Sequence, residues 1–351
     1  MKIALPILSI ILVLALTEGV LRFFSPLQLG FEYVEGEFRR PLEFKYQTAG
    51  NRMGFHDFDH GPKMRDVTRV ILLGDSYVAA RTVPIRATVV QRLEHYLKSK
   101  SNRTYEVISC GEDRWGQREE LEALSRIGPR LEPDFVVTLF LPFNDVRDNS
   151  TELRARAWRE LTEMSHFRPG WTRLKSDEVP FFLVRSSVLN QIISFRLARV
   201  LATHESDQIP IDYYVYAIDM DETWQQAWKQ TEELLLQTRT LAHKLGARYA
   251  LVSASTPHGV LGTEKGLKQL IAVYPAMRER EWDLDMPNKR LNSFCQNHQI
   301  PFLSLEPAFR QETLQGGRQL HWKYDGHWNF EGNDLAGELI ADFILSLNKD
   351  D

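Results

Sequence analysis

Gly74-Asp75-Ser76 follows an unbroken apolar run, Val70-Ile71-Leu72-Leu73, and sets a hydroxyl where a buried strand must stop. An alcohol is a poor nucleophile at neutral pH. It needs a base to take its proton, a third group to hold that base, and donors for the oxyanion formed on attack. Two later stretches supply those types. In Asp325-Gly326-His327, the imidazole can be the base and Asp325 its orienting carboxylate. In Leu141-Pro142-Phe143-Asn144-Asp145, the Asn144 amide can donate to an oxyanion.

Taken singly, each stretch is also what an ordinary turn looks like, since Gly, Asp, Asn and Ser favour turns. His321-Trp322 repeats the His327-Trp328 dipeptide but lacks an acid two positions earlier and an Asn behind it. His56, Asp57, Asp59 and His60 read as a solvated loop rather than a metal site. Gly74-x-Ser76-x-Val78 lacks the final glycine of a nucleophile elbow, and no phosphate or dinucleotide loop is present. The two cysteines, Cys110 and Cys295, have no Cys-x-x-Cys partner; whether they pair is open. Neither a metal nor a cofactor is expected.

The elements that must carry these residues alternate. Strands are expected at 69–74, 105–109, 135–140, 248–253 and 302–305. Helices are expected at about 85–99, 117–127, 224–245, 287–298 and 331–347. Thr223 with Gln226 can make a capping box for the helix over 224–245, and Gly246 suits a left-handed end. This pattern implies right-handed βαβ units: an α/β domain of about five parallel strands with helices on both faces. Reactive groups collect at the carboxyl ends of such strands, which is where Ser76 and Asn144 fall. The alternation lapses at about 146–221, read as an insertion with a helix near 187–202.

Gly74-Asp75-Ser76, Asn144-Asp145 and Asp325-Gly326-His327, in that order, resemble the first, third and fifth blocks of the SGNH/GDSL hydrolase family. With the N-terminal apolar run, Gly50-Asn51-Arg52-Met53-Gly54-Phe55-His56-Asp57 and Asp325-Gly326-His327-Trp328-Asn329-Phe330, the chain resembles the membrane-anchored bacterial branch over nearly its whole length. The resemblance implies a flavodoxin-like three-layer α/β/α sandwich. It also implies hydrolysis or transfer of acyl esters without a metal or cofactor, by a triad of Ser76, His327 and Asp325. Gly74 and Asp75 would shape the turn. The oxyanion hole would be Ser76, Asn144 and a second-block backbone N–H. Two departures stand out. Arg114 aligns where the family has glycine, with Gly116 as the alternative donor two residues on. The acid also precedes the histidine by two residues instead of the usual three, so a backbone carbonyl could assist His327.

A formal net charge of -4 gives no reason to expect a nucleic-acid partner. Residues 3–16 carry no charge and follow Lys2, and no clear small-residue cleavage site succeeds them. Residues 1–24 are therefore expected to be an uncleaved signal anchor, a single-pass helix in the cytoplasmic membrane, with a cleaved signal peptide as the alternative; either places the enzyme domain outside the cytoplasm. Residues 25–66 would be a juxtamembrane segment packed on a hydrolase domain at 67–351. The insertion is rich in aromatic residues and arginine: Trp158, Phe167, Trp171, Phe181 and Phe182, with Arg154, Arg156 and Arg159. It is expected to overhang the cleft, with an acylated glycan or lipid as substrate. Two alternatives are a catalytically idle protein that binds polysaccharide or a secretion partner, and a lipase-like enzyme.

Overall fold

The computed structural model describes residues 9, 12–20, 33–34, 37–38, 44, 46–166, 209–323 and 325–348. The chain divides into two compact units. The smaller comprises Met1–Lys45, Glu160–Ser206 and Lys323–Asp325; the larger comprises Tyr46–Arg159, Asp207–Trp322 and Gly326–Asp351. In the smaller unit, residues 12–20 are helical and Tyr33–Val34 pairs antiparallel with Glu37–Phe38. Among the described residues no helix is long and apolar enough to cross a membrane. Most of the apolar run before residue 12 lies outside the described residues, as do the helix expected at 187–202 and Phe167, Trp171, Phe181 and Phe182.

The larger unit is built on five strands: β1 (Val67–Gly74), β2 (Thr104–Gly111), β3 (Phe135–Phe140), β4 (Arg248–Ser253) and β5 (Phe302–Ser304). All pair in parallel in the order β2-β1-β3-β4-β5. That is the flavodoxin-like order, whose switch point lies between β1 and β3. The apolar run of β1 is buried on both faces because alternate side chains enter opposite layers. Ile71 and Leu73 join Leu124, Ile127, Trp228 and Leu291 on one side; Val70 and Leu72 join Val89, Leu93, Phe309 and Ile340 on the other.

The helices in chain order are α1 (Ser76–Ala79), α2 (Val89–Lys100), α3 (Gln117–Leu131), α4 (Asp145–Asn149), α5 (Thr151–His166), α6 (Glu222–Lys244), α7 (Gly262–Val273), α8 (Met286–Asn297), α9 (Glu306–Leu314) and α10 (Phe330–Leu347). The sequence reading omitted α1, α4, α5, α7 and α9. It also ended α3 too early: the helix runs through Pro129 because Leu131 is buried in the core. The cap of α6 is corrected too. Asp221, rather than Thr223, caps it by accepting from the Trp224 N–H at 2.9 Å. An aspartate one residue clear of the first turn meets the N3 amide better than a threonine already inside it. Gly246 adopts φ +79° behind the helix, as its type implies.

The stretch around His56 is not a solvated loop. His56 and Asp57 are buried. Asp57 Oδ2 accepts from the Ser109 N–H at 2.9 Å, and Glu94 Oε2 from the Val107 N–H at 2.9 Å. Those amides face outward from β2, an edge strand, so two carboxylates cover a row of donors that would otherwise be open to another chain. Cys110 and Cys295 are both buried free thiols.

Candidate active site

Ser76 follows β1 directly and opens the four-residue helix α1. The turn is cramped. A side-chain carbon on Gly74 would lie 2.5 Å from Val78 Cγ2, and one on Gly111, its neighbour in register, 2.8 Å from the Gly74 carbonyl oxygen. Only glycine at both positions lets the chain double back and lift the serine hydroxyl out of the strand. Asp75 caps α1 by accepting from the Tyr77 N–H at 2.9 Å, and Ala80 ends it with φ +43°.

His327 arrives from 251 residues away in sequence, and its Nε2 lies 2.8 Å from Ser76 Oγ. Its loop is pinned from several sides. The Trp322 N–H donates to the His327 carbonyl at 2.8 Å, and the Gly326 N–H to the Trp322 carbonyl at 3.1 Å. Gly326 takes φ +93°, a region glycine tolerates. Tyr77 sets its ring 5.2 Å from the imidazole and donates its hydroxyl to the Gly326 carbonyl at 3.1 Å. Trp328 is buried and donates Nε1 to Ser255 Oγ at 3.0 Å. Asn329 caps α10 through the Gly332 N–H. Asp325 is exposed and belongs to the smaller unit.

The other histidine of the repeated dipeptide has a packing role. His321 is buried, with Nε2 3.3 Å from Ser255 Oγ, and burial lowers its pKa to about 4. It is a neutral strut behind the His327 loop.

Asn144 sits at the end of β3, as expected, but its amide is engaged. Nδ2 donates to Asp75 Oδ2 at 3.1 Å and to Asp148 Oδ2 at 3.3 Å. Its Oδ1 is buried without a partner among the described residues. Asp75 is therefore more than a turn former: one oxygen caps α1 and the other holds Asn144. Burial pushes its carboxyl up to about 6, against the Tyr77 and Asn144 donors and the nearby imidazole, which pull it down.

Beneath this lies a layer that the sequence reading did not find. Gln117 Nε2 donates to Asp145 Oδ2 at 2.8 Å and to Glu120 Oε1 at 3.2 Å, while Gln117 Oε1 accepts from Asn149 at 2.6 Å. The Leu141 N–H also donates to Asp145 Oδ2, at 2.9 Å. Asp145 and Glu120 are buried with one oxygen each unpartnered. Desolvation first, then the charge of Asp75, drives both carboxyls well above the usual range, and Glu120 adds to the rise at Asp145. No sequence signal marked Gln117 or Glu120, since on a helix they look like ordinary surface polar residues.

The two second-block candidates separate. The Gly116 N–H is committed to Glu119 Oε2 at 3.0 Å in a capping box for α3, so Gly116 is corrected as the alternative donor. It is glycine for space: an added carbon would fall 2.7 Å from Asn149 Oδ1. Arg114, aligned at the family's glycine, has φ +66°, a left-handed conformation that favours glycine. An arginine thus holds a backbone conformation in which glycine would be at ease.

No family model matches the chain, and no curated protein matches it. Among solved structures it is similar to a GDSL-like lipase from Bacteroides thetaiotaomicron at 12% identity, covering 82% of this chain and 93% of that one, with a TM-score of 0.39. It is similar to an acetyl xylan esterase at 13% identity, covering 80% and 99%, with a TM-score of 0.41. A two-domain esterase active on acetylated mannans matches at 12% identity over 81% of this chain and 50% of that one, with a TM-score of 0.43.

Proposed function

We propose that the chain is an ester hydrolase of the SGNH type, with Ser76 as nucleophile and His327 as general base. The observation that carries this reading is the 2.8 Å hydrogen bond between His327 Nε2 and Ser76 Oγ, across 251 residues of sequence. His327 takes the hydroxyl proton as Oγ attacks the acyl carbon. It returns that proton to the leaving alcohol, and a water activated by the same imidazole then frees the acid. Asp325, two residues earlier in the chain, is assigned as the carboxylate that favours the imidazolium. The oxyanion is assigned to the N–H groups of Ser76 and Arg114 and to Asn144 Nδ2. Asn144 must then turn one N–H from a carboxylate to the oxyanion, an exchange of one anionic acceptor for another. It places the donor's gain in the transition state, where it accelerates reaction.

The substrate class is assigned as short acyl groups on a larger alcohol such as a glycan. Domain limits at 1–24, 25–66 and 67–351, with anchoring by the N-terminal segment and an extracytoplasmic catalytic domain, complete the proposal. The anchoring is supported by the uncharged run over residues 3–16. A reporter active only in the cytoplasm, fused after Asp351, should be silent. The direct test of the chemistry is a fluorophosphonate probe. The wild type should label at Ser76, and Ser76→Ala and His327→Ala should not. An unlabelled, folded wild type would leave a binding protein as the reading.

A further inference from the structure

We propose that Arg147 is a positioning residue for the oxyanion donor. It grips Asp148 so that the Asn144 N–H held by that carboxylate is the one released to the oxyanion. This deepens the esterase reading above and rests on it.

An amide nitrogen has two N–H groups, and both on Asn144 are taken: Nδ2 donates to Asp75 Oδ2 at 3.1 Å and to Asp148 Oδ2 at 3.3 Å. Donation to an oxyanion therefore requires leaving one of two buried carboxylates. They are not equally supported. Asp75 Oδ1 takes the Tyr77 N–H at 2.9 Å, and Oδ2 has, besides Asn144, only the Ser76 hydroxyl at 3.5 Å among the described residues. That distance is too long for a strong bond. Asp148 is gripped at both oxygens by one guanidinium: Arg147 Nε donates to Oδ1 at 2.9 Å and Nη2 to Oδ2 at 2.8 Å. Arg147 Nη1 in turn bonds Asp212, in the turn over Ile211–Tyr216.

The two departures differ in cost. An N–H withdrawn from Asp75 leaves a buried oxygen without a good donor, and such an oxygen carries its full desolvation penalty. An N–H withdrawn from Asp148 leaves that oxygen with a charge-assisted bond from Arg147. The Asp75 bond therefore stays and ties the amide to the turn that carries Ser76, while the other N–H goes to the oxyanion. Without Arg147, Asp148 becomes a buried carboxylate that needs Asn144 and competes with the oxyanion for it.

A double-variant cycle on p-nitrophenyl acetate turnover by the full-length protein tests this. Asn144→Ala should lower kcat about a hundredfold and Arg147→Gln about thirtyfold, each with KM within about twofold of wild type. In the Asn144→Ala background, Arg147→Gln should cost less than about threefold, because its effect passes through the amide already removed. Arg147→Lys keeps the charge but not the two-pronged grip, and should recover kcat to within about fivefold of wild type. Asp212→Asn loosens the tether to the 211–216 turn and leaves the grip on Asp148 in place, so it should cost less than Arg147→Gln. Independent losses that multiply in the Asn144→Ala, Arg147→Gln protein overturn the proposal. So does a loss in Asp212→Asn equal to that in Arg147→Gln, which would make Arg147 a structural tether. Should Arg147→Gln not fold, the same cycle run with Arg147→Lys decides: its smaller loss must vanish in the Asn144→Ala background. Either failure in an active wild type leaves the esterase reading intact. A folded wild type that neither turns over the ester nor labels at Ser76 with a fluorophosphonate sinks that reading, and the role of Arg147 falls with it.

Discussion

Two buried polar clusters flank the same sheet. Along the outer edge of β2, Asp57, His60, Arg69 and Glu106 interlock: His60 bonds Glu106 at 2.7 Å and Asp57 at 2.9 Å, and Arg69 Nε donates to Glu106 at 2.7 Å. Arg69 also donates to the Leu131 and Gly61 carbonyls. Opposite charges alternate, and none of these side chains leaves a buried polar atom unpartnered among the described residues. Behind Ser76, Asp75, Asp145 and Glu120 are three acids to which no cation is hydrogen-bonded among the described residues. Asn144, Asp145 and Glu120 each leave a buried oxygen unpartnered. The first cluster is satisfied and holds the fold; the second carries unfavourable polar burial next to Ser76. Buried polar groups are normally paired, so exceptions concentrate where function keeps them.

The comparison breaks most decisively if the wrong cluster controls turnover. Ser76→Ala and His327→Ala should each lower p-nitrophenyl acetate turnover by roughly a thousandfold or more, since triad members act as a unit. Neither should move the melting temperature much. Arg69→Ala should do the reverse. It strands Glu106 and should cost about 3–5 kcal/mol of stability by urea unfolding, while kcat of the folded fraction stays near wild type. A kcat loss in Arg69→Ala comparable to that in Ser76→Ala would erase the distinction.

The pH dependence separates the clusters more finely. Asp75 has its folded pKa raised, so the folded state binds the proton more tightly than the unfolded chain does. Its stabilising contribution is full below about 4 and is lost as pH rises through about 6. A displacement of roughly two units corresponds to about 3 kcal/mol. Asp75→Asn should flatten that part of the curve. His60 is also raised, with burial opposing its Asp57 and Glu106 partners. Its contribution is full below 6.5 and lost as pH climbs through its raised value, and His60→Gln should remove only that later decline. Urea midpoints at pH 4, 6 and 8 test both; a single shared window would merge the clusters.

The smallest effect concerns the second-block loop. Arg114→Gly and Arg114→Ala both lose the guanidinium, but only glycine is at ease at φ +66°. The glycine variant should be the more stable by about 1 kcal/mol in urea unfolding. A more stable alanine variant would mean that the loop does not hold this conformation in solution.

Much of the fold was legible in local pattern. Four uncharged residues before Gly74, and similar runs at 135–140 and 249–253, read as buried strands, and their spacing by amphipathic helices implies parallel pairing. Gly246 announced the end of α6 by its type. Less local features were missed. Nothing near Asp57 reveals that its carboxylate will meet Ser109, 52 residues on, so the loop looked solvated. Gly116 looked like a spare donor because the capping box that occupies its N–H depends on Glu119 being helical and turned back.

What the sequence by itself determined is the inventory and its order along the chain: a hydroxyl after one strand, an amide after another, an imidazole before the last helix. Residue type and periodicity carry that much because strand ends and helix starts are set within a few residues. Only the tertiary structure decided which of His321 and His327 reaches the serine. It also decided that Asn144 rests on Asp75, and that three acids crowd behind the site. Those outcomes depend on register between strands far apart in sequence. A displacement of one residue would send Leu73 and Gly74 to opposite faces and carry Ser76 away from its base.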